Sequence, residues 1–147
     1  MNAVSKPSLA KTIMYWVGWV ISVLPCVMLF MSAYFKLSKA DMAVQGFAKA
    51  GYPDNALVPI GIAETVSTIL YLIPQTAGLG AILLTGYLGG AINHHVRQGE
   101  DFTGPLMFGV AIWIGLFLRD WRVRALAPWR NYWRLRDVAS PQSPSEK

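Results

Sequence analysis

The feature that most constrains this chain is a long stretch without charge. Residues 65–93 include no acidic or basic side chain, and the only interruption is the turn signal Pro74-Gln75-Thr76. Such a run is typical of membrane-spanning segments, and a short proline-containing break within it is typical of a hairpin between two helices. Only 14% of the chain is charged, against about 25% in soluble domains. We therefore predict an all-α integral membrane protein.

The other charge-free runs predict two more spans. A helix rises about 1.5 Å per residue, so the first run is long enough to cross a hydrocarbon core of about 30 Å. A short surface helix is predicted over residues 42–50, between the first two spans. We therefore predict a four-helix bundle in residues 1–126, with spans at about 12–35, 56–73, 77–93 and 105–118.

A basic, aromatic segment follows the last span. Six arginines fall between residues 119 and 136, and their alternation with tryptophans predicts an interfacial segment at the lipid headgroups. An acidic protein partner is the alternative. Residues 127–147 are predicted to form a tail that is disordered from residue 140. Four spans place both termini on the side that holds nine of the 13 basic residues, which predicts cytoplasmic termini. No nucleic-acid-binding motif accompanies these charges, so we expect no nucleic-acid partner.

Glu64 is the most costly residue within the spans. A carboxylate at mid-membrane is unfavourable by about 2.5–3.5 kcal/mol, so Glu64 must be protonated, paired or close to water. Helical spacing places Glu64, Thr68 and Tyr71 on one face. In an antiparallel hairpin about Gln75, Tyr87 lies level with Glu64. These positions predict a polar pocket inside the bundle, in which Tyr87 donates a hydrogen bond to Glu64.

Three basic or titratable residues are candidates for the same pocket. His95 and Arg97 follow the third span and are predicted to guard the pocket mouth. Lys36 could pair with Glu64. If Lys36 ends the first span at the interface, however, the two residues differ in depth by about 12 Å. Their pairing therefore requires a first span that lies deeper than the sequence suggests.

The pocket has a functional and a structural interpretation. Gly86 and Gly90 lie on one helix face, where they let a partner helix approach closely or leave room for a ligand. In the functional interpretation, Glu64 is the acid or acceptor of a proton- or ligand-binding site. In the structural interpretation, Glu64 is neutral and hydrogen-bonded between helices, and it holds the bundle in register.

Several chemistries lack the residues they need. Cys26 is the only cysteine, which excludes an internal disulfide and a cysteine-ligated cluster. His94 and His95 are adjacent in sequence and cannot hold a haem from facing elements. No metal-ligand spacing or phosphate-binding loop is recognisable, so we expect no metal.

The chain resembles the DoxX-like membrane proteins over about residues 29–126. The resemblance rests on the following motifs: Phe35-Lys36-Leu37, Gly51-Tyr52-Pro53, Gly61-Ile62-Ala63-Glu64, Leu70-Tyr71-Leu72-Ile73-Pro74, Gly86-Tyr87-Leu88-Gly89-Gly90-Ala91, His95-Val96-Arg97 and Gly115-Leu116-Phe117-Leu118-Arg119-Asp120. The segment 129–136 extends beyond that pattern.

The resemblance implies a small four-span bundle in a bacterial inner membrane. The founding relatives are tied to quinone-linked oxidation of thiosulfate, which makes quinone the candidate cofactor and a membrane or periplasmic redox protein the candidate partner. Three functions remain open at this point: a subunit or accessory of a quinone-linked redox system, a structural or assembly protein, and a small transporter. The lipid bilayer is the expected surrounding in each case, and a homo-oligomer is left open.

Overall fold

The computed structural model describes residues 9–53 and 55–125. Every regular element in these two ranges is an α-helix, which confirms the predicted all-α class. In chain order, the helices are α1 (Leu9–Leu37), α2 (Asp41–Lys49), α3 (Leu57–Leu72), α4 (Ala77–Gln98), α5 (Thr103–Arg119) and α6 (Trp121–Ala125).

The helix bounds agree with the segments predicted from the sequence. Helices α1, α3, α4 and α5 coincide with the four predicted spans, and α2 coincides with the predicted surface helix. The predicted hairpin turn separates α3 from α4, where the Thr76 hydroxyl donates to the carbonyl of Leu70 at 2.8 Å. Gly99 ends α4 with a φ of 69°, a left-handed conformation that glycine adopts without strain.

The four long helices form a ring of neighbours. Helix α1 packs against α3 and α5, and α4 packs against the same two helices. The start of α1 meets the end of α5, since a Cβ on Gly18 would lie 2.8 Å from the backbone nitrogen of Arg119. Helices α1 and α5 are therefore antiparallel, as are α3 and α4 across their short turn.

Glycines allow the closest helix contacts near the α3–α4 turn. A Cβ on Gly115 would lie 3.0 Å from the backbone nitrogen of Ser22, and a Cβ on Gly80 would lie within 2.2 Å of that of Tyr71. A larger residue at Gly80 would collide with backbone, which cannot rotate away. These contacts hold α5 against α1 and α4 against α3.

Gly86 and Gly90 do not have this role within the described chain. A Cβ at either position would meet no atom within 4 Å. The prediction that a partner helix approaches these two glycines is therefore not met inside the bundle. Both glycines instead line a cavity, which agrees with the alternative that they leave room for a ligand.

The bundle has an apolar core with a few buried polar groups, and its exterior is also apolar. Buried polar side chains include Ser22, Glu64, Thr68 and Arg119. Large apolar side chains are exposed on each of the four long helices, for example Val20, Ile62, Ile82, Met107 and Val110. An extended apolar exterior is unfavourable in water, whereas hydrocarbon solvates it. The surface pattern therefore agrees with a lipid surrounding.

Among the described helices, α1 alone is both long and apolar enough to cross a membrane by length and composition. Helices α3 and α5 are apolar but have only 16 and 17 residues, below the roughly 20 residues of a full span. The predicted tail at 127–147 lies outside the described residues, and α6 forms the segment just before it.

Candidate functional site

A cavity of about 740 Å³ occupies the half of the bundle away from the α3–α4 turn. Its walls come from the end of α1, from α2, from the first half of α3, from the second half of α4 and from the start of α5. Most of this lining is apolar, and it includes Met28, Met31, Phe35 and Phe108. Met31 is also exposed at the protein surface, so the cavity opens on that side of the bundle.

A buried ion pair forms the polar end of the cavity. Lys36 Nζ lies 3.0 Å from Glu64 Oε2, and the two side chains are 13% and 0% exposed. Lys36 also donates a hydrogen bond to Ser32 Oγ. The pair links α1 to α3, which are neighbours in the bundle.

The inferred depth difference between Lys36 and Glu64 was wrong. A Cβ on Gly61 would lie 3.1 Å from Lys36 Cβ, so the end of α1 packs directly on α3 one turn before Glu64. The lysine side chain then reaches along the helix surface to the carboxylate. Glycine at position 61 makes this close approach sterically possible.

One carboxylate oxygen of Glu64 has no hydrogen-bond partner among the described residues. Glu64 Oε1 is buried and accepts no hydrogen bond from the described residues. The predicted hydrogen bond from Tyr87 to Glu64 stays a prediction, since the two side chains interact closely but no such bond forms at ordinary distance. Tyr87 lies beside the pair, with its ring centre 5.9 Å from Lys36 Nζ, and lines the same cavity. The free oxygen is the strongest hydrogen-bond acceptor available to a ligand.

Helix α2 covers the outer end of the cavity through aromatic contacts. The His94 ring lies 5.8 Å from Phe47 and 5.6 Å from Tyr52, measured between ring centres. His94 follows the predicted third span.

His95 lines the cavity as predicted for a residue at its mouth, but Arg97 does not. His95 Nδ1 lies 3.3 Å from Glu100 Oε2, and Lys49 Nζ lies 3.8 Å from Glu100 Oε1. The Lys49–Glu100 contact links α2 to the loop after α4, and the His95–Glu100 contact links that loop to α4. Arg97 is exposed and absent from the cavity lining, so its assignment to the mouth is corrected.

Thr68 and Tyr71 are buried on the same face of α3 as Glu64 but lie outside the cavity. The Thr68 hydroxyl donates to the backbone carbonyl of Glu64 at 2.7 Å. Tyr71 donates to the carbonyl of Ile112 at 2.8 Å and shares a hydrogen bond with Ser22. Both side chains therefore satisfy contacts within the bundle. Their inclusion in the pocket is corrected.

Two polar residues with buried or supporting contacts were not predicted as such from the sequence. Ser32 supports Lys36 and has no distinguishing sequence context. Arg119 was assigned to the interfacial segment, but it is only 8% exposed and lies beneath the end of the bundle. Its position directly after an apolar run suggested headgroups, and only packing against α1 and α3 reveals its burial.

No group of three or more His, Cys, Asp or Glu side chains that could hold a metal occurs in residues 9–53 and 55–125. The polar end of the cavity offers the Lys36 ammonium, the Glu64 carboxylate and the hydroxyls of Ser32 and Tyr87. The rest of the wall is mostly apolar. Such a set can bind an amphipathic molecule and exchange a proton with it.

An apolar exterior around a mostly apolar cavity with a buried ion pair is typical of an α-helical membrane protein. The model of the DoxX-like family matches residues 20–118. The chain therefore belongs to the DoxX-like family. No curated protein and no solved structure matches it.

Proposed function

We propose that this chain binds a quinone in the cavity beside Lys36 and Glu64, as a subunit or accessory of a quinone-linked redox system in the bacterial inner membrane. The observation that carries the proposal is a mostly apolar cavity of about 740 Å³ that Glu64 lines, together with the buried carboxylate oxygen of that residue, Oε1, which has no hydrogen-bond partner among the described residues. Small-molecule sites are typically apolar clefts with a few placed polar groups.

The proposal includes four membrane spans, formed by α1, α3, α4 and α5. Helix α4 has 22 residues, or about 33 Å, whereas α3 and α5 reach only about 24–26 Å. Local thinning of the bilayer can accommodate such short helices at modest cost. The exposed apolar side chains on all four helices support this arrangement. The excess of basic residues in the terminal segments supports cytoplasmic termini, which puts the cavity in the outer half.

The residues present fit a quinone by their chemistry. A quinone needs an apolar slot for its tail and ring, and hydrogen-bond donors for its two carbonyl oxygens. Lys36 Nζ and the Tyr87 hydroxyl are the donors at the polar end. The apolar lining includes three methionines, Met28, Met31 and Met42, whose flexible side chains adapt to irregular ligands.

The chain's own residues bind the head group and handle a proton. A bound quinone would supply the two-electron, two-proton redox chemistry. Glu64 Oε1 accepts a hydrogen bond, and then a proton, from a hydroxyl placed against it. Lys36 holds the other carboxylate oxygen and keeps the side chain oriented. The apolar walls exclude water from the polar end. Electron transfer requires a partner protein.

The same ion pair supports a second function, that of a structural or assembly protein. Lys36 and Glu64 join α1 to α3 across a buried contact, and polar contacts of this kind hold membrane helices in register. Under this alternative the cavity holds lipid tails and Glu64 has no chemical role.

Filling the cavity without touching the ion pair tests the proposal. Gly86 lines the cavity, and a side chain there meets no atom within 4 Å. A Gly86→Leu variant therefore extends into the space where the ligand would bind. Gly89 lies on the same helix, is exposed like Gly86 and also has no atom within 4 Å, but it is absent from the cavity lining. Gly89→Leu is therefore the matched control.

The assay is titration of each purified variant with decylubiquinone, a short-tailed quinone, in neutral detergent. We expect wild type and Gly89→Leu to bind with equal affinity and Gly86→Leu to bind at least tenfold more weakly. Equal affinity of all three proteins, or no saturable binding to wild type, would reject the quinone site and favour the structural alternative.

A further inference from the structure

The opposite end of the bundle contains a buried cation. Arg119 ends α5 and is 8% exposed. Its guanidinium carbon lies 4.4 Å from the centres of both the Trp19 and the Tyr71 rings. Its Nη2 donates a hydrogen bond to the carbonyl of Tyr71 at 2.5 Å. Helices α1 and α3 thus clamp this side chain beneath the α3–α4 turn.

The charge of Arg119 is uncompensated by the described residues. Its Nη1 is buried and has no hydrogen-bond partner there, and no carboxylate of residues 9–53 or 55–125 lies within 4.0 Å of it. Asp120 is next in sequence, but its Oδ1 accepts from the backbone of Arg122 at 2.8 Å. An unpaired buried charge is strongly unfavourable, so an anion bound here would relieve a real cost.

A second cavity, of about 190 Å³, adjoins this arginine. Arg119 and Arg122 supply two cations to its lining, Asp120 supplies one carboxylate, and Tyr15, Trp19 and Trp121 supply aromatic rings. Because Oδ1 of Asp120 accepts from the backbone of Arg122, the lining keeps an excess of positive charge. Arginine recognises phosphate through its planar, forked donors. Tryptophan and tyrosine side by side with arginine are typical of the level of lipid headgroups.

We propose that this second cavity binds the phosphate of an anionic lipid headgroup, with Arg119 Nη1 as the buried donor and Arg122 as the outer one. The exposed apolar surface of α1 next to Tyr15 and Trp19 continues away from the cavity through Trp16 and Val20 and would hold the acyl chains. This site is independent of the quinone proposal, because it lies at the other end of the bundle and shares no lining residue with the first cavity.

Three ligands with matched chemistry separate the sources of binding. Purified full-length protein in neutral detergent is titrated with dioctanoyl phosphatidylglycerol, with dioctanoylglycerol and with inorganic phosphate, and bound ligand is counted by native mass spectrometry. We expect one saturable phosphatidylglycerol per chain and no comparable binding of dioctanoylglycerol, which lacks the phosphate. Competition by millimolar inorganic phosphate would identify free phosphate as an occupant, and its absence would identify the lipid.

Three arginine variants test the assigned donors. We expect Arg119→Gln to weaken phosphatidylglycerol binding at least tenfold and Arg122→Gln to weaken it several-fold. Arg124→Gln removes the same charge from α6 but lies outside the cavity lining, so it should bind like wild type. Arg122 is exposed, and its variant therefore keeps the test valid if Arg119→Gln does not fold. Equal losses in Arg122→Gln and Arg124→Gln, or tight binding of dioctanoylglycerol, would overturn the proposal.

Discussion

The ion pair between Lys36 and Glu64 makes a quantitative prediction about stability. Glu64→Gln removes the negative charge and leaves the lysine ammonium without its partner at 3.0 Å. Lys36→Met removes the cation and leaves a fully buried carboxylate. Each variant therefore creates one uncompensated buried charge, whereas the double variant creates none.

The structure sets the expected size of these effects. Breaking a buried pair by removing one partner costs about 3–5 kcal/mol. Lys36 is 13% exposed and lies one residue from the end of α1, so its ammonium can move toward the interface. We therefore expect a loss of about 3 kcal/mol for either single variant. The double variant should cost no more than a single one, which gives a coupling energy of about 3 kcal/mol.

The assay is equilibrium unfolding of purified variants in mixed micelles, with helix content followed by circular dichroism. The matched control is the exposed pair Lys49–Glu100, with a separation of 3.8 Å and side chains 71% and 44% exposed. For that pair we expect a coupling of about 0–1 kcal/mol. If losses at Lys36 and Glu64 are below about 1 kcal/mol each and simply add, the ion pair does not hold α1 to α3 and the reasoning is refuted.

Other predictions concern helix packing and pH. Gly80→Ala should lower the free energy of unfolding by about 1–3 kcal/mol, because its Cβ would overlap the backbone of Tyr71. In the control Gly78→Ala, the added Cβ meets no atom within 4 Å, so this variant should not be destabilised. Equal effects of the two variants in the same unfolding assay would contradict the prediction. Hydrogen bonds from Thr103 hold the pKa of Asp101 below its ordinary value of 3.8. As the pH falls, the Asp101 carboxylate therefore takes up a proton in the unfolded chain before it does so in the folded chain. The contribution of Asp101 to stability is complete above about pH 3.8 and is lost as the pH falls through the lowered pKa. An Asp101→Asn variant should lack this acid-dependent loss, as measured by thermal unfolding across pH.

Much of the fold could be predicted because charge and turn residues mark it directly. The hairpin turn at Pro74-Gln75-Thr76 lies between α3 and α4, and the four predicted apolar segments correspond to the four long helices. The position and length of each helix follow from turn residues and from the distribution of charge, which are local properties of the sequence. The resemblance of the motifs to the DoxX-like family was confirmed by the family match.

The contacts between helices could be predicted only in part. Helical spacing places Glu64, Thr68 and Tyr71 on one face, but it does not say which neighbour each residue meets. Tyr71 therefore forms a hydrogen bond with Ser22 and does not line the cavity. The depth of Lys36 in the membrane, inferred from the predicted end of the first span, was also wrong relative to Glu64. That inference did not consider the length of the lysine side chain or the close approach of α1 and α3 at Gly61.

Small residues and arginines show the same limit. A Gly-x-x-x-Gly spacing marks a face open to close approach, and Gly86 and Gly90 have that spacing. The close contacts nevertheless occur at Gly80 and Gly115, which face neighbouring helices. Arg119 follows an apolar run like a headgroup arginine, yet packing against Trp19 of α1 and Tyr71 of α3 buries it.

The central claim is that a quinone head group binds beside Lys36 and Glu64. Photolabelling with a photoreactive quinone analogue in native membranes, followed by peptide mass spectrometry, measures that location directly. We predict labelled peptides from residues 28–36 and 86–95, with the label removed by excess decylubiquinone and by Gly86→Leu. Labelling spread over the exposed apolar faces of the helices, unaffected by the competitor, would contradict the account.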